Sequence, residues 1–385
     1  MAETALATAL EKQVWITDYL KEYTRRSGFK PYMGKDASSI FIAKYELQNE
    51  KGKTINIPLI TKLSSAGSRG NGVLRGKEEQ LGNYNCAISI DWLRNGTVVP
   101  KSTSYKTEIN LLDAAKPMLR TWSAETLRKE MILYLGGPIV TTSNIPAVAI
   151  YDVDGNIVTA AATAANYNTW AAANSDRILF GAAVANYSAT HATGLANVDT
   201  TNDKLTCTTA SLAKRMAKRA SPAIRPWQLE DGREYFVMFC GQNAFRDIKN
   251  DSTMVQANRD SRGREGSAMD NNPIFQDGDL IYDGIIFREI EEITTVLTKS
   301  ATFATASASS GQVEPCFLCG QGAMGIAWGQ EPTPQSDMNE DYKFRPGVAI
   351  EELRGIAKLS FPTGTASAGK QHGVVTLYVA GADDA

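Results

Sequence analysis

Residues 53–63, KTINIPLITKL, and residues 84–93, YNCAISIDWL, carry one shared pattern. In the first, Ile55, Ile57 and Leu59 alternate with Thr54 and Asn56; in the second, Cys86, Ile88 and Ile90 alternate with Asn85, Ser89 and Asp91. A period of two marks strands with one apolar face. The stretch between them, SSAGSRGNGVLRGKEEQLGN (64–83), holds five glycines and mixed charges. It is too polar for a core and too long for a tight hairpin turn. The pattern predicts a long two-stranded ribbon with a broad tip, its arms of about ten residues reaching about 35 Å. An isolated ribbon is at best marginally stable in water, so this one calls for a surface elsewhere to lie on.

Upstream, Leu6, Leu10, Val14, Ile16 and Leu20 stand at helical spacing within residues 4–26, and Gly28 with Pro31 ends the run. A mixed apolar stretch follows at 41–47, so the first 50 residues read as an arm that must dock on something else. Downstream, residues 105–135 predict the longest helix, with Ile109, Leu112, Leu119, Trp122, Leu127 and Met131 on one stripe and Gly136-Gly137-Pro138 as its stop. Pro117 requires a kink there or a junction of two helices. Asp154-Gly155 signals a hairpin, and an Ala-rich, weakly patterned stretch (159–173) follows.

Thr208 or Thr209 is positioned to cap a helix through ASLAKRMAKRA that Pro222 stops. REYFVMFCG reads as a buried strand and QNAFRDIKND as a helix leaving it. A polar Arg- and Gly-rich loop (256–272) comes next, and NNPIFQDGDLIYDGIIFREIEEI reads as turn, strand, turn, long strand. Residues 298–312 have the composition of a flexible linker or loop, and strands return in AIEELRGIAKLSF and GVVTLYVAG. The class is α+β, without internal repeats.

The 385 residues, 43% of them hydrophobic, support a substantial buried core. A formal charge of -2 provides no field for holding phosphate backbones. No run approaches the roughly 18 apolar residues of a membrane span, and MAETALATALEKQ lacks the basic start and apolar stretch of a signal peptide. These features point to a soluble protein made in a cytoplasm. Five cysteines, mostly far apart, do not form the framework of a secreted disulfide domain, and reduced thiols are expected.

Candidate chemistry is sparse. Cys316-Phe317-Leu318-Cys319 has metal or redox spacing but lacks a second ligand pair, and His191 and His372 are the only histidines. A buried strand or turn is the better reading. Asp152-Val153-Asp154-Gly155-Asn156 puts glycine fourth rather than sixth and Thr163 at the twelfth place, unlike a calcium loop. GSRGNGVLRGK lacks the GK[ST] ending of a phosphate loop. Glu291-Glu292 reads as solvated strand-edge charge. Lys214, Arg215, Lys218 and Arg219 share a helix without interleaved aromatics, and Arg259, Arg262 and Arg264 lie in a loop; solvated faces or inter-subunit pairs suit both sets better than nucleic acid. No catalytic, metal or cofactor residues are expected.

Four blocks together resemble the major capsid proteins of tailed bacteriophages. They are GVLRGKEEQLGNYNCAISIDWLRNGTVV, with Gly72, Gly76, Glu78, Glu79 and Leu81 in a Gly-x-x-x-Gly-x-Glu-Glu-x-Leu pattern and a strand ending in Arg94; YFVMFCGQNAFRDIKND; NNPIFQDGDLIYDGIIFREI; and LRGIAKLSF followed by HGVVTLYVA. Their order and spacing cover roughly residues 50 to 381. The Ala-rich insertion near 159–175 and the pair Cys316 and Cys319 depart from that pattern.

The resemblance implies the capsid fold shared by tailed phages and herpesviruses. Its parts would be an N-terminal arm (1–49), an E-loop hairpin (50–101), a P-domain (102–206) with a spine helix at about 105–135, and an A-domain (207–385) with returning P-domain strands at about 273–297. It implies self-assembly into hexamers and pentamers of an icosahedral shell around packaged double-stranded DNA, which the shell encloses without sequence-specific binding. Scaffold, portal and decoration proteins would be further partners, with assembly in the host cytoplasm. Arg69, Arg75, Lys77, Glu78 and Glu79 at the ribbon tip are the residues expected to make polar contacts across subunits. An encapsulin-like nanocompartment shell would use the same fold without a genome. A CxxC redox or metal protein fits the cysteine spacing alone, and a tail-tube or decoration protein would not normally carry the spine helix and E-loop together.

Overall fold

The computed structural model describes residues 28–48, 52–60, 63, 65, 67–79, 81–106, 110–138, 141–142, 145–146, 164–228, 232–261, 280–300, 302–337, 340–361 and 369–382. Its strands are β1 (Met33–Gly34), β2 (Phe41–Lys44), β3 (Thr54–Ile60), β4 (Asn83–Ser89), β5 (Asp91–Val98), β6 (Thr141–Thr142), β7 (Ile145–Pro146), β8 (Ile178–Phe180), β9 (Trp227–Gln228), β10 (Glu234–Cys240), β11 (Leu280–Tyr282), β12 (Ile285–Glu289), β13 (Val313–Cys319), β14 (Met324–Asp337), β15 (Gly347–Lys358), β16 (Ser360–Phe361), β17 (Lys370–Gln371) and β18 (Val374–Ala380). Its helices are α1 (Lys101–Ser104), α2 (Leu111–Gly136), α3 (Ala164–Ala173), α4 (His191–Ala196), α5 (Cys207–Arg219), α6 (Gln242–Asn250) and α7 (Ser252–Ser261). The expected helix within 4–26 and the Asp154-Gly155 hairpin lie outside the described residues.

Two compact units divide the chain, a larger one from segments 27–91, 127–330 and 353–385, and a smaller one that includes 92–126 and 331–352. The larger unit is built on a sheet of order β11-β12-β10-β13-β18-β8, with β9 beside β10. Both faces of this sheet are covered, so its central strands are continuous apolar runs. Val237, Phe239, Phe317 and Cys319 face a cluster with Trp170 of α3, Leu195 of α4 and Met131, Ile132 and Leu135 of α2. Phe236, Met238, Cys240, Cys316 and Leu318 face the other way, onto Ala210, Ala213 and Ala217 of α5. Between β11 and β12, Asp283 and Gly284 both take positive φ, 48° and 68°, which is the conformation a tight two-residue hairpin requires.

Residues 28–48 find their cover inside the chain rather than elsewhere. Phe29 lies 5.0 Å from Phe239 between ring centroids and Phe41 stacks on Phe239 at 5.6 Å. The strand expected over 84–93 ends at Ser89, and β5 belongs to a different sheet. Its break falls where β15 passes closest: a Cβ on Gly355 would stand 1.9 Å from the Ser89 carbonyl oxygen, so only glycine fits. The ribbon itself is present, β3 against β4 antiparallel with Thr54 opposite Ser89 and Ile60 opposite Asn83. Each arm has seven residues rather than ten, a reach of about 23 Å. Its base is not isolated, because Ile57, Cys86 and Ile88 pack with Ile42, Ala327, Ala357, Leu359 and Phe361.

In the smaller unit, the Val99 amide donates to the Pro346 carbonyl and the Lys101 amide to that of Phe344, each at 3.0 Å. The long helix starts at Leu111 rather than 105, after the separate turn α1. Asn110 Oδ1 accepts from the Asp113 amide at 3.4 Å, a capping contact. α2 runs on through Pro117 as one helix instead of two, in spite of the lost backbone donor.

Tertiary burial overrides three further expectations. Thr206, one residue before the helix, caps α5 by accepting from the Thr209 amide, in place of Thr208 or Thr209. The loop expected at 298–312 is present but packed rather than flexible, since Phe303 is buried and stacks on Tyr378 at 5.7 Å. Glu292 is not solvated: it is buried and ion-paired with buried Arg128.

Glu314 on β13 is also fully buried, accepting from the Ala244 amide at 2.9 Å and from the Thr294 and Thr298 hydroxyls at 3.1 and 3.4 Å. Burial pushes its pKa up to about 7, with those hydrogen bonds working in the opposite direction.

Breaking the buried pair with Glu292→Ala removes the carboxylate beside the buried Arg128 guanidinium and should cost about 3–5 kcal/mol of unfolding free energy in denaturant titration, whereas the double change Arg128→Met with Glu292→Leu should recover most of it. For Glu314, the folded pKa lies above the unfolded one, so the folded state binds the extra proton and stability falls as pH rises from about 4.5 to about 7. Glu314→Gln should remove that slope and gain roughly 3 kcal/mol over the wild type at pH 8, read as the difference between their two stability-against-pH curves.

Candidate functional site

Beyond the Ile60–Asn83 pair the ribbon gives way to an open loop of turns. The Gly72 amide donates to the Arg69 carbonyl at 3.2 Å and the Lys77 amide to that of Leu74 at 2.9 Å. Gly70 and Gly76 take φ of +61° and +84°, the left-handed region that a side chain disfavours, which is why glycine recurs here. Two carboxylates hold the loop. Glu79 Oε2 accepts from the Ser65 amide at 2.6 Å, tying the outgoing limb to the returning one, and Glu78 Oε2 accepts from the Gly76 amide at 2.6 Å. Charge-assisted bonds of this kind are short and roughly twice as strong as neutral ones.

All five residues expected at the tip are therefore found there. Arg69, Arg75, Lys77 and Glu78 lie on the exposed side of the loop, and Glu79 is half-buried. The sequence reading missed the apolar half of the surface. Ile60, Leu63, Val73, Leu74 and Leu81 are 62%, 60%, 69%, 56% and 53% exposed, all within one end of one ribbon. Scattered single exposed apolar residues are ordinary, but five in one local stretch mark an interaction surface. The alternation of Leu59 and Ile60 in the arm was the available signal: Ile60 falls on the outward face of its strand.

The other candidate sites dissolve into the fold. Cys316 and Cys319 sit on a buried strand and point to opposite faces, so they cannot share a metal ion. Among the described residues, no three His, Cys, Asp or Glu side chains are grouped to hold one. His191 is buried and His372 half-buried; loss of water pushes both pKa values down to about 4, with Arg177 and Arg225 adding to it at His372, so each is neutral. His191 stacks on Tyr167 at 4.5 Å with its Nε2 3.1 Å from the Tyr378 hydroxyl, a packing role. On α5, Lys214 pairs with Asp283 at 2.9 Å, while Lys218 and Arg219 lie toward the solvent side of its last turn. Arg259 lies outside the described side chains, and Arg262 and Arg264 outside the described residues.

Comparison with known proteins agrees with this picture of a structural chain. A family model described as phage capsid protein matches residues 3–382. The chain is 38% identical to the solved capsid chain of cyanophage Pam1, with 100% of each chain covered and a TM-score of 0.85. The capsid of Ralstonia phage GP4 shares the fold at 18% identity, 100% coverage of each chain and a TM-score of 0.70. The major capsid protein of Pseudomonas phage KPP25 is 24% identical over 384 residues, 98% of this chain and 96% of the relative. With the family model spanning nearly the whole length and a solved capsid chain matched end to end, this chain belongs to the phage capsid protein family.

Proposed function

We propose that the chain is the repeating subunit of an icosahedral shell, joining copies of itself into hexamers and pentamers around packaged double-stranded DNA. The observation that carries this reading is the exposed apolar end of the ribbon, whose five side chains gain cover only from another surface. Members of the family are structural parts of the virion and not enzymes. In this reading, residues 1–49 serve as the arm, 50–101 as the E-loop, 102–206 as the P-domain with α2 as its spine, and 207–385 as the A-domain with strands at about 273–297 returning to the P-domain. The E-loop lies over a neighbouring subunit: Val73 and Leu74 bury against it, and Arg69, Arg75, Lys77, Glu78 and Glu79 set the polar rim. A net charge of -2 suits a wall that must enclose DNA without gripping it. Assembly in the host cytoplasm would draw on a scaffold and a portal, with decoration proteins as outer partners.

The double change Val73→Ser with Leu74→Ser tests this directly. Both residues are exposed in the subunit, so its unfolding free energy should move by no more than about 0.5 kcal/mol. Losing roughly 3 kcal/mol of burial per contact should raise the concentration needed for shells about 100-fold, measured by sedimentation and negative-stain microscopy. Shells forming at the wild-type concentration would refute the contact. A second measurement addresses the tip's own geometry. With Glu79→Gln, the Ser65 amide should exchange its hydrogen about tenfold faster while amides of β10 keep their protection.

A further inference from the structure

Two thiols face each other inside the larger unit. β10 and β13 pair antiparallel with Val237 opposite Cys319, Met238 opposite Leu318 and Phe239 opposite Phe317. One step along the same register sets Cys240 opposite Cys316. The Phe236 amide donates to the Gly284 carbonyl, and the Cys240 carbonyl accepts from the Ile290 amide. Phe236 and Cys240, an even number of residues apart, thus turn their backbone polar groups toward the β12 side and away from β13. Cys240 and Cys316 therefore form a non-hydrogen-bonded pair, the closer antiparallel geometry, with Cα atoms about 4.5 Å apart. A disulfide needs a Cα separation of about 4.4–6.8 Å, so the backbone has no distance to travel.

The side chains agree with the register. Cys240 and Cys316 lie in one buried cluster with Met238 and Leu318, on one face of the sheet. Burial raises the Cys316 thiol pKa well above its ordinary value, the adjacent Cys240 sulfur adds to that, and the Gly241 amide beside it works against it. Of the neighbouring cysteines, Cys319 faces the opposite cluster, and Cys207 shares the cluster of Cys240 and Cys316 from the first position of α5, off both paired strands. Both Cys240 and Cys316 are free thiols in this structure.

We propose that Cys240 and Cys316 are a cross-strand oxidation site, closed to a disulfide by a peroxide-class oxidant. In the first step one thiol sulfur attacks a peroxide oxygen. The O–O bond breaks, a sulfenic acid forms and one water leaves. In the second, the facing thiol attacks the sulfenic sulfur, the S–O bond breaks, the Sγ–Sγ bond forms and the second water carries off the remaining proton. Two sulfurs are oxidised and the two peroxide oxygens are reduced. The bond ties β10 to β13 at the centre of the sheet and closes the loop that carries α6, α7, β11 and β12. In a shell subunit it would form only after the particle leaves a reducing cytoplasm; the chemistry itself does not rest on that reading.

Peptide mapping of the full-length chain tests the site. The chain is treated with hydrogen peroxide at a sub-unfolding denaturant concentration, chosen so that a parallel iodoacetamide reaction labels Cys240 and Cys316. It is then alkylated and digested without reductant. The expected product is one joined species containing Cys240 and Cys316, lighter than its two free peptides by two hydrogens and separated by reductant. Cys240→Ser should abolish it and Cys86→Ser leave it intact, and the wild-type map decides the matter alone if either variant misfolds. Recovery of both residues as free thiols or as separate sulfinic acids, or a bond from Cys240 to Cys207 or Cys319, would overturn the proposal.

Discussion

The pairing of β10 with β13 is the constraint from which the larger unit follows. Both strands are buried on both faces, so each successive residue must meet an apolar neighbour on alternating sides. Phe239 and Phe317 collect the aromatic side, with Phe29, Phe41, Trp170 and Tyr378; Met238 and Leu318 collect the other, against the alanine face of α5. Every large side chain removed from water here contributes about 1.5–3 kcal/mol, and loss of the pairing would expose both layers together.

Such a core leaves little room for charge, yet several charged groups are inside it. Arg128 with Glu292, and Arg354 with Glu130 at 2.8 Å, are pairs in which each member compensates the other's loss of water. Arg177 is fully buried and donates to the carbonyls of Gln371, His372 and Pro222, so one guanidinium fastens segments far apart in sequence. Lys358 lies over the Trp170 ring and donates to the Gly137 carbonyl at 3.1 Å, with burial pushing its pKa down to about 7. Groups like these add little net stability over apolar equivalents, but a misplaced register would strand them unpaired. Their role is to make one arrangement of the core far better than its competitors.

The ribbon obeys the opposite rule. Its base is packed while its far end exposes leucine, isoleucine and valine on a frame held by Glu78 and Glu79. A loop that spends carboxylates on its own backbone is shaped before any partner arrives, which lowers the ordering cost of contact. That combination is what a subunit destined for a lattice requires, since contact energy there comes from surfaces that each copy presents ready-formed to the next.

The elements readable from sequence were those whose cause is local. The alternation in 53–63 and 84–93, the apolar run ending at Gly241 and the strand of 374–380 report backbone periodicity directly, and the resemblance of four blocks supplied the family. What the sequence could not show depended on partners distant in the chain. Glu292 looked solvated because Arg128 stands far upstream; Phe303 hid in a Ser- and Ala-rich stretch, and Trp170 in an Ala-rich one, until Tyr378 and Lys358 were placed beside them. Cys316 paired by spacing with Cys319, three residues on, whereas strand geometry turns those two apart and register brings Cys240 across instead. Periodicity determines which face of an element is apolar; only the tertiary structure decides what covers it, because burial depends on contacts between segments whose spacing along the chain carries no trace of their meeting.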